Sequence, residues 1–198
     1  MKKLKEILFK VNINSVYGDT DLAIKKITFD SRNVDNNTLF VAIKGYKIDG
    51  HNFIDESLKR GASVIVCEKL PENFKNNNSV YICVNCSKSA LSIIAANFYD
   101  NPSLKIDLIG VTGTNGKTTI SSLLNKLYND LDIKSGLVST INIQYDDFIE
   151  TSKNTTPDPI TLNYHLSKMI ERDVQVCFIE VSSHGIFQKR VNGLDFKG

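Results

Sequence analysis

The stretch that most restricts the fold is residues 105–131, KIDLIGVTGTNGKTTISSLLNKLYNDL. An apolar run at 105–111 leads into a glycine-rich turn at 110–119. A segment with leucines at helical spacing, residues 118–131, follows. Strand, glycine turn and helix in that order are how an open α/β sheet passes its chain from a parallel strand to a covering helix. Ligands of such sheets bind beyond the C-terminal ends of the strands, where this turn would lie.

The turn has the chemistry of a phosphate cradle. Gly113 and Gly116 let successive backbone N–H groups face inward, and the N-terminus of the following helix adds its positive end. Lys117 can reach β- and γ-phosphates as a point charge, and the Thr118 hydroxyl is a ligand type for Mg²⁺. The general phosphate-loop spacing asks for glycine where this chain has Val111, so the first glycine of the loop is Gly110 or Gly113. A Gly-x-x-Gly turn alone would say little. Gly-Lys-Thr-Thr between a strand and a helix with Leu123, Leu124, Leu127 and Leu131 on one face points to a nucleotide.

Two alternating α/β stretches are legible. In the first, residues 23–32, 38–45, 62–69 and 79–85 read as strands, and 51–61 and 87–100 as helices, the latter with Ser87 as N-cap. NPSLK (101–105) reads as a linker. In the second, strands are expected at 105–111, 135–140 and 174–183 and helices at 118–131 and 160–173, with a polar segment between 140 and 159. The expected fold is α/β. Residues 1–100 are expected as a small α/β domain, and 101–198 as the first part of a P-loop, parallel-sheet nucleotide-binding domain whose remainder is missing.

Composition narrows the function classes. A formal net charge of +2 over 198 residues gives no basic footprint for nucleic acid. The short apolar group Ile7–Phe9 among N-terminal lysines is too brief for a signal peptide or a membrane span, so a cytoplasmic protein is expected, without nucleic-acid or membrane partners. Cys67, Cys83, Cys86 and Cys177 read as buried or incidental thiols, because Cys83-Val-Asn-Cys86 lacks the second pair that zinc would need. FIEVSSHG (178–185) ends an apolar strand in polar residues. An acid at the end of a strand beside a phosphate loop holds Mg²⁺ or its water, which nominates Glu180. His184 could reach the same cleft or be polar surface, and Arg190 is either an anion contact or a solvated charge.

These segments together resemble the Mur ligase family, ATP-dependent amide-bond ligases of peptidoglycan precursor synthesis. GVTGTNGKTT is similar to the family's ATP loop, which folylpolyglutamate synthases and cyanophycin synthetase largely share. FDSRNVDNNTLFVAIKGYKIDGHNFI (29–54) resembles the domain that binds the uridine diphosphate end of the substrate. NTTPDP (154–159) and EVSSHGIFQKRV (180–191) resemble the branch that adds the third residue to UDP-N-acetylmuramoyl-L-alanyl-D-glutamate.

The resemblance implies roles by position. Phe29, Ser31, Tyr46, Lys47 and Ile48 would contact the uridine diphosphate end. Asn154, Thr155, Thr156, Ser182, Gln188 and Arg190 would hold the muramoyl-dipeptide. Gly113, Thr114, Asn115, Gly116, Lys117, Thr118 and Thr119 would bind ATP. Thr118 and Glu180 would serve one Mg²⁺ and His184 a second, with Lys117, Glu180 and His184 as the catalytic set. The implied reaction phosphorylates the D-glutamate carboxylate and lets the amine of lysine or diaminopimelate displace phosphate. The implied enzyme is a monomer. A carbamylated lysine and an Asp-Asn-Pro-Arg motif of the family would lie downstream, so this chain is not expected to ligate alone. A non-catalytic nucleotide-binding regulatory module is the competing reading. A simple P-loop kinase would leave the DSR and NTTPDP segments without a role.

Overall fold

A computed structural model describes residues 1–45, 48–71, 74 and 79–198. The chain folds as two compact units, Met1–Phe98 and Tyr99–Gly198.

The first unit runs β1 (Lys2–Lys3), α1 (Leu4–Ile7), β2 (Ile13–Tyr17), β3 (Ala23–Ile24), β4 (Lys26–Thr28), β5 (Thr38–Val41), α2 (Ile54–Lys59), β6 (Ala62–Cys67), β7 (Val80–Val84) and α3 (Ser87–Phe98). Its five-stranded sheet has the order β2-β7-β6-β5-β4, with β4 to β7 parallel and β2 antiparallel at one edge. Every residue of β5 and β7 is buried, as expected of a sheet covered on both faces. The strand expected over 23–32 is broken. Asp30 accepts the N–H of Arg32 at 3.0 Å and caps a 3-10 turn at Ser31–Asn33, a local bond that competes with the ladder. Ser87 does not cap α3. Ala90 N bonds to the Cys86 carbonyl, while Ser87 gives its N–H and its hydroxyl to Glu68 Oε1, each at 2.9 Å.

The second unit runs β8 (Asp107–Val111), α4 (Lys117–Asp130), β9 (Ser135–Val138), β10 (Asn142–Tyr145), β11 (Phe148–Thr151), α5 (Pro159–Ile170), β12 (Val176–Glu180) and α6 (Ser183–Phe187). The sheet order is β11-β10-β9-β12-β8; β9, β12 and β8 are parallel, and β10 joins antiparallel. The supposed polar segment therefore contains a hairpin. Its alternation, Ile143 and Tyr145 buried between polar neighbours, spans only a short strand. The turn is Asp146-Asp147, with Asp146 at φ 51°. The expected linker belongs to this unit: Pro102–Leu104 is a 3-10 turn with Ser103 buried.

Helix α4 is rotated from the expected phase. Leu123, Leu127 and Leu131 are 59%, 51% and 60% exposed, whereas Ser121 and Asn125 are buried. Leu124 and Tyr128 pack on Leu137, Val176 and Phe178. Polar ties set this phase. Ser135 Oγ donates to Asn125 Oδ1 at 2.9 Å, and Ser135 N donates to Asn129 Oδ1 at 3.1 Å. Burying Asn125 in any other register would strand polar atoms, at about 1–3 kcal/mol each.

Candidate active site

The phosphate loop joins β8 to α4. Gly116 stands at the N-cap of α4 with φ 79°, and Gly113 has φ 146°. Gly113 has a torsion that essentially only glycine takes, and the left-handed Gly116 is one that glycine takes at least cost. A Cβ on Gly116 would meet nothing within 4 Å, so backbone freedom rather than crowding demands glycine there. Gly110 is different. It lies within β8, and a Cβ would sit 3.1 Å from the Phe196 ring. The turning glycines are therefore Gly113 and Gly116.

The first helical bond of α4 runs from Ile120 N to Gly116 O at 2.9 Å. The N–H groups of Lys117, Thr118 and Thr119 therefore point past the helix start, as the first donors of any helix do. Thr114, Asn115 and Gly116 are exposed, and Lys117 and Thr118 half-buried. Lys117 Nζ donates to Gly113 O at 2.8 Å, curling its charge back over the loop.

Strand register sets the acid beside this loop. In the parallel pair β12–β8, Glu180 is opposite Val111. Alternation decides its face: Cys177, Ile179 and Val181 pack toward α5 residues Leu162, Leu166 and Met169. Val176 and Phe178 face α4, with the Phe178 and Tyr128 rings 5.1 Å apart. Glu180, two residues after Phe178, shares the α4 side, the side on which Lys117 and Thr118 open the helix. Its side chain is fully buried, and Thr140 meets both oxygens, N to Oε1 at 3.0 Å and Oγ1 to Oε2 at 3.0 Å.

A second layer of hydrogen bonds ties the NTTPDP loop to the end of β12. Thr156 Oγ1 donates to the Glu180 carbonyl at 2.8 Å and accepts from Ser182 N at 2.9 Å. Ser182 caps α6, accepting from Gly185 N at 3.0 Å. The expected strand 174–183 thus ends at Glu180 because Ser182 starts a helix. Arg190 is held at both ends. Nε and Nη2 donate to Gln188 Oε1 at 3.0 and 2.7 Å, and Nη1 donates to the Thr156 carbonyl.

Two family models match this chain, one described as "Mur ligase family, catalytic domain" over residues 23–99 and one as "Mur ligase middle domain" over 111–198. The chain belongs to the Mur ligase family. Among curated relatives, the UDP-N-acetylmuramoyl-L-alanyl-D-glutamate–2,6-diaminopimelate ligase of Cytophaga hutchinsonii is 44% identical over 196 residues, 99% of this chain and 40% of that protein. Its counterpart in Bacteroides fragilis is also 44% identical over 196 residues, with the same coverage of each chain. The chain spans about 40% of the length of the curated relatives it matches. A solved structure of a ligase of that name aligns with TM-score 0.77 at 24% identity, covering 99% of this chain and 39% of that one. The MurF ligase of Thermotoga maritima in complex with ADP aligns with TM-score 0.53 at 23% identity, covering 80% and 32%. At these identities the structures report a shared Mur ligase fold.

Within this Mur ligase chain, the hydrogen bonds gather Thr155, Thr156, Glu180, Ser182, Gln188 and Arg190 at one end of the second sheet. Asn154 is exposed beside them, and His184 is exposed on α6. Thr156 is 1% exposed with its hydroxyl committed to Glu180 and Ser182, so its visible work is to fasten the loop. Thr140 escaped sequence reading. It follows a strand at the same sheet edge as the phosphate loop, and that edge rule would have nominated it. In the first unit, Phe29 and Ile48 are 40% and 63% exposed and Ser31 is buried in its turn. Tyr46 and Lys47 lie outside the described residues. Next to Ser31, Arg32 clasps Asp30 through Nε and Nη2 at 2.9 and 2.7 Å, and that hydrogen bonding holds the Asp30 carboxyl below its ordinary range.

The donor set suits one Mg²⁺. This ion prefers oxygen ligands, usually one or two from protein, with phosphates and water completing the octahedron. Glu180 and Thr118 carry oxygens of that type, and Glu180 lies on the α4 side of the sheet. Among the described residues no three His, Cys, Asp or Glu side chains form a metal cage, and the exposed His184 does not by itself define a second ion site. Burial pushes the Cys177 thiol up to about 12, which keeps it a neutral core group.

Proposed function

We propose that this chain provides the substrate-binding and nucleotide-binding parts of an ATP-dependent carbon–nitrogen ligase that adds the third amino acid to UDP-N-acetylmuramoyl-L-alanyl-D-glutamate. Residues 1–100 take the uridine diphosphate end, through Phe29, Ser31, Tyr46, Lys47 and Ile48. Residues 101–198 take ATP and the muramoyl-dipeptide. The amine is a diamino acid of the diaminopimelate class, the one named for the relatives. The enzyme works in the cytoplasm as a monomer. The observation that carries the reading is buried Glu180, opposite Val111 on the α4 side of the sheet.

The chemistry follows from the charges. A carboxylate is a poor acyl donor because its leaving group would be oxide. Attack of the D-glutamate carboxylate on the γ-phosphorus of ATP expels ADP and gives an acyl phosphate. Attack of the amine on the acyl carbon then expels inorganic phosphate and forms the amide. The enzyme's task is to align two anions and neutralise their repulsion. The N–H groups at residues 117–119 and the Lys117 ammonium hold phosphate oxygens. Arg190, oriented by Gln188 and the Thr156 carbonyl, pairs with the dipeptide carboxylate. Mg²⁺ at Thr118 and Glu180 would supply charge neutralisation on the phosphates.

Thermal unfolding with ligands tests this. UDP-N-acetylmuramoyl-L-alanyl-D-glutamate should stabilise the chain by about 2.7 kcal/mol at a hundred times its Kd, and Mg·ADP should stabilise it independently. Stabilisation by ATP or ADP alone, with none from the uridine compound, would favour the regulatory module instead.

A further inference from the structure

The polar contacts of Glu180 reach one step further, to Thr140, which no part of the proposed site includes. Thr140 is exposed in the loop after β9, yet it meets both oxygens of the fully buried Glu180 carboxylate. Its Oγ1 also lies 3.1 Å from Thr155 Oγ1. One hydroxyl proton cannot serve both neighbours. The carboxylate is the stronger acceptor, so the Thr140 proton goes to Glu180 Oε2, with Thr155 Oγ1 as its alternative acceptor. Thr140 thus stands between the Glu180 carboxylate and the Thr155 hydroxyl of the NTTPDP loop.

We infer that Thr140 is a positioning residue that fixes the Glu180 carboxylate for the Mg·nucleotide and connects it to the NTTPDP loop. The inference rests on the proposed role of Glu180. A buried carboxylate with free rotamers would pay orientational entropy on meeting a cation; Thr140 removes that freedom in advance. The backbone N–H holds Oε1 whatever the side chain, so the hydroxyl decides only where Oε2 sits. Exposure of Thr140 means that its replacement leaves no cavity in the core.

The test is calorimetric titration of the full 198-residue chain with ADP, with and without Mg²⁺. In the unsubstituted chain Mg²⁺ should tighten ADP binding. In Thr140→Val that tightening should shrink by about tenfold, the scale of one lost hydrogen bond to a charged group, while metal-free ADP binding through residues 113–119 stays unchanged. Thr140→Ser, which restores the hydroxyl, should restore the tightening. Metal-free ADP binding also reports that each variant is folded, and Thr140→Ala provides a second hydroxyl-free variant if valine perturbs the loop. Equal Mg²⁺ dependence in Thr140→Val and the unsubstituted chain overturns this inference and leaves the nucleotide reading standing. A serine variant that behaves like valine also overturns it. An unsubstituted chain whose ADP affinity ignores Mg²⁺ overturns the role of Glu180 and this inference together.

Discussion

Gly185→Ala puts the packing of the site under a defined strain. A Cβ on Gly185 would lie 2.9 Å from both Cβ and Oγ1 of Thr156 and 3.0 Å from its Cγ2. Carbon contacts are most favourable at about 3.5–4.0 Å, so the overlap is at least about half an ångström on several atoms at once. Thr156 has no room to retreat, being 1% exposed and bonded through Oγ1 to Glu180 O and Ser182 N. Against this stands alanine's better helical propensity, at most about 1 kcal/mol and less in a helix of only 5 residues. Overpacking costs about 1–3 kcal/mol, and loosening a Thr156 bond adds about 1 kcal/mol. The clash therefore wins by about 1–3 kcal/mol. For a unit of this length each kcal/mol moves Tm by about 4–8 °C. Differential scanning calorimetry should show the ADP-responsive transition lowered by about 5–20 °C. Adding Thr156→Ser, which removes Cγ2 and keeps the hydroxyl, should recover part of the loss. An unchanged or raised Tm in Gly185→Ala would refute the close approach of α6 to the NTTPDP loop.

Further outcomes follow from the same structure. Glu180→Gln keeps both contacts to Thr140 if the amide nitrogen faces Oγ1. It also relieves the cost of a buried charge, so Tm should stay within a few degrees while calorimetry shows Mg²⁺-dependent tightening of ADP lost; retained tightening would remove Glu180 from the metal site. On α4, Leu127→Gln should cost less than about 0.5 kcal/mol because the side chain is exposed, whereas Asn125→Ala should cost about 1 kcal/mol by losing the buried bond from Ser135 Oγ to Asn125 Oδ1, although Ser135 Oγ keeps the Asn125 carbonyl at 3.0 Å. Urea titrations giving the reverse order would restore the leucine face as the buried one. His165 is 3% exposed, and burial lowers its pKa from 6.5 despite the Glu150 carboxylate 3.7 Å away. The unfolded chain then takes up the proton first, so this contribution to stability is present above pH 6.5 and is lost as pH falls through the depressed native value. His165→Gln should flatten Tm between pH 7.5 and 5.5, and an equal slope in both chains would count against it.

Local chemistry made the strand–loop–helix of residues 105–131 legible, because phosphate loops need glycine torsions and a lysine at fixed offsets. The buried strands at 62–67, 80–84 and 176–180 were legible for a related reason: continuous β-branched runs have few other places to go. Glu180 could be nominated from its place at a strand end. Its side of the sheet, its level opposite Val111 and its two bonds to Thr140 depend on which strands become neighbours, and that pairing joins segments some 40–70 positions apart in the chain. The phase of α4 departs from the leucine face for the same reason. Leucine spacing names an apolar face, but the ties from Asn125 and Asn129 to Ser135 determine which face turns inward. The hairpin at 142–151 escaped notice because a short alternating strand acquires its meaning only when β9 supplies an edge. Sequence alone nominated candidate groups for phosphate and metal. Tertiary structure decided which of them share a face, because register and burial are set by contacts that no local pattern contains.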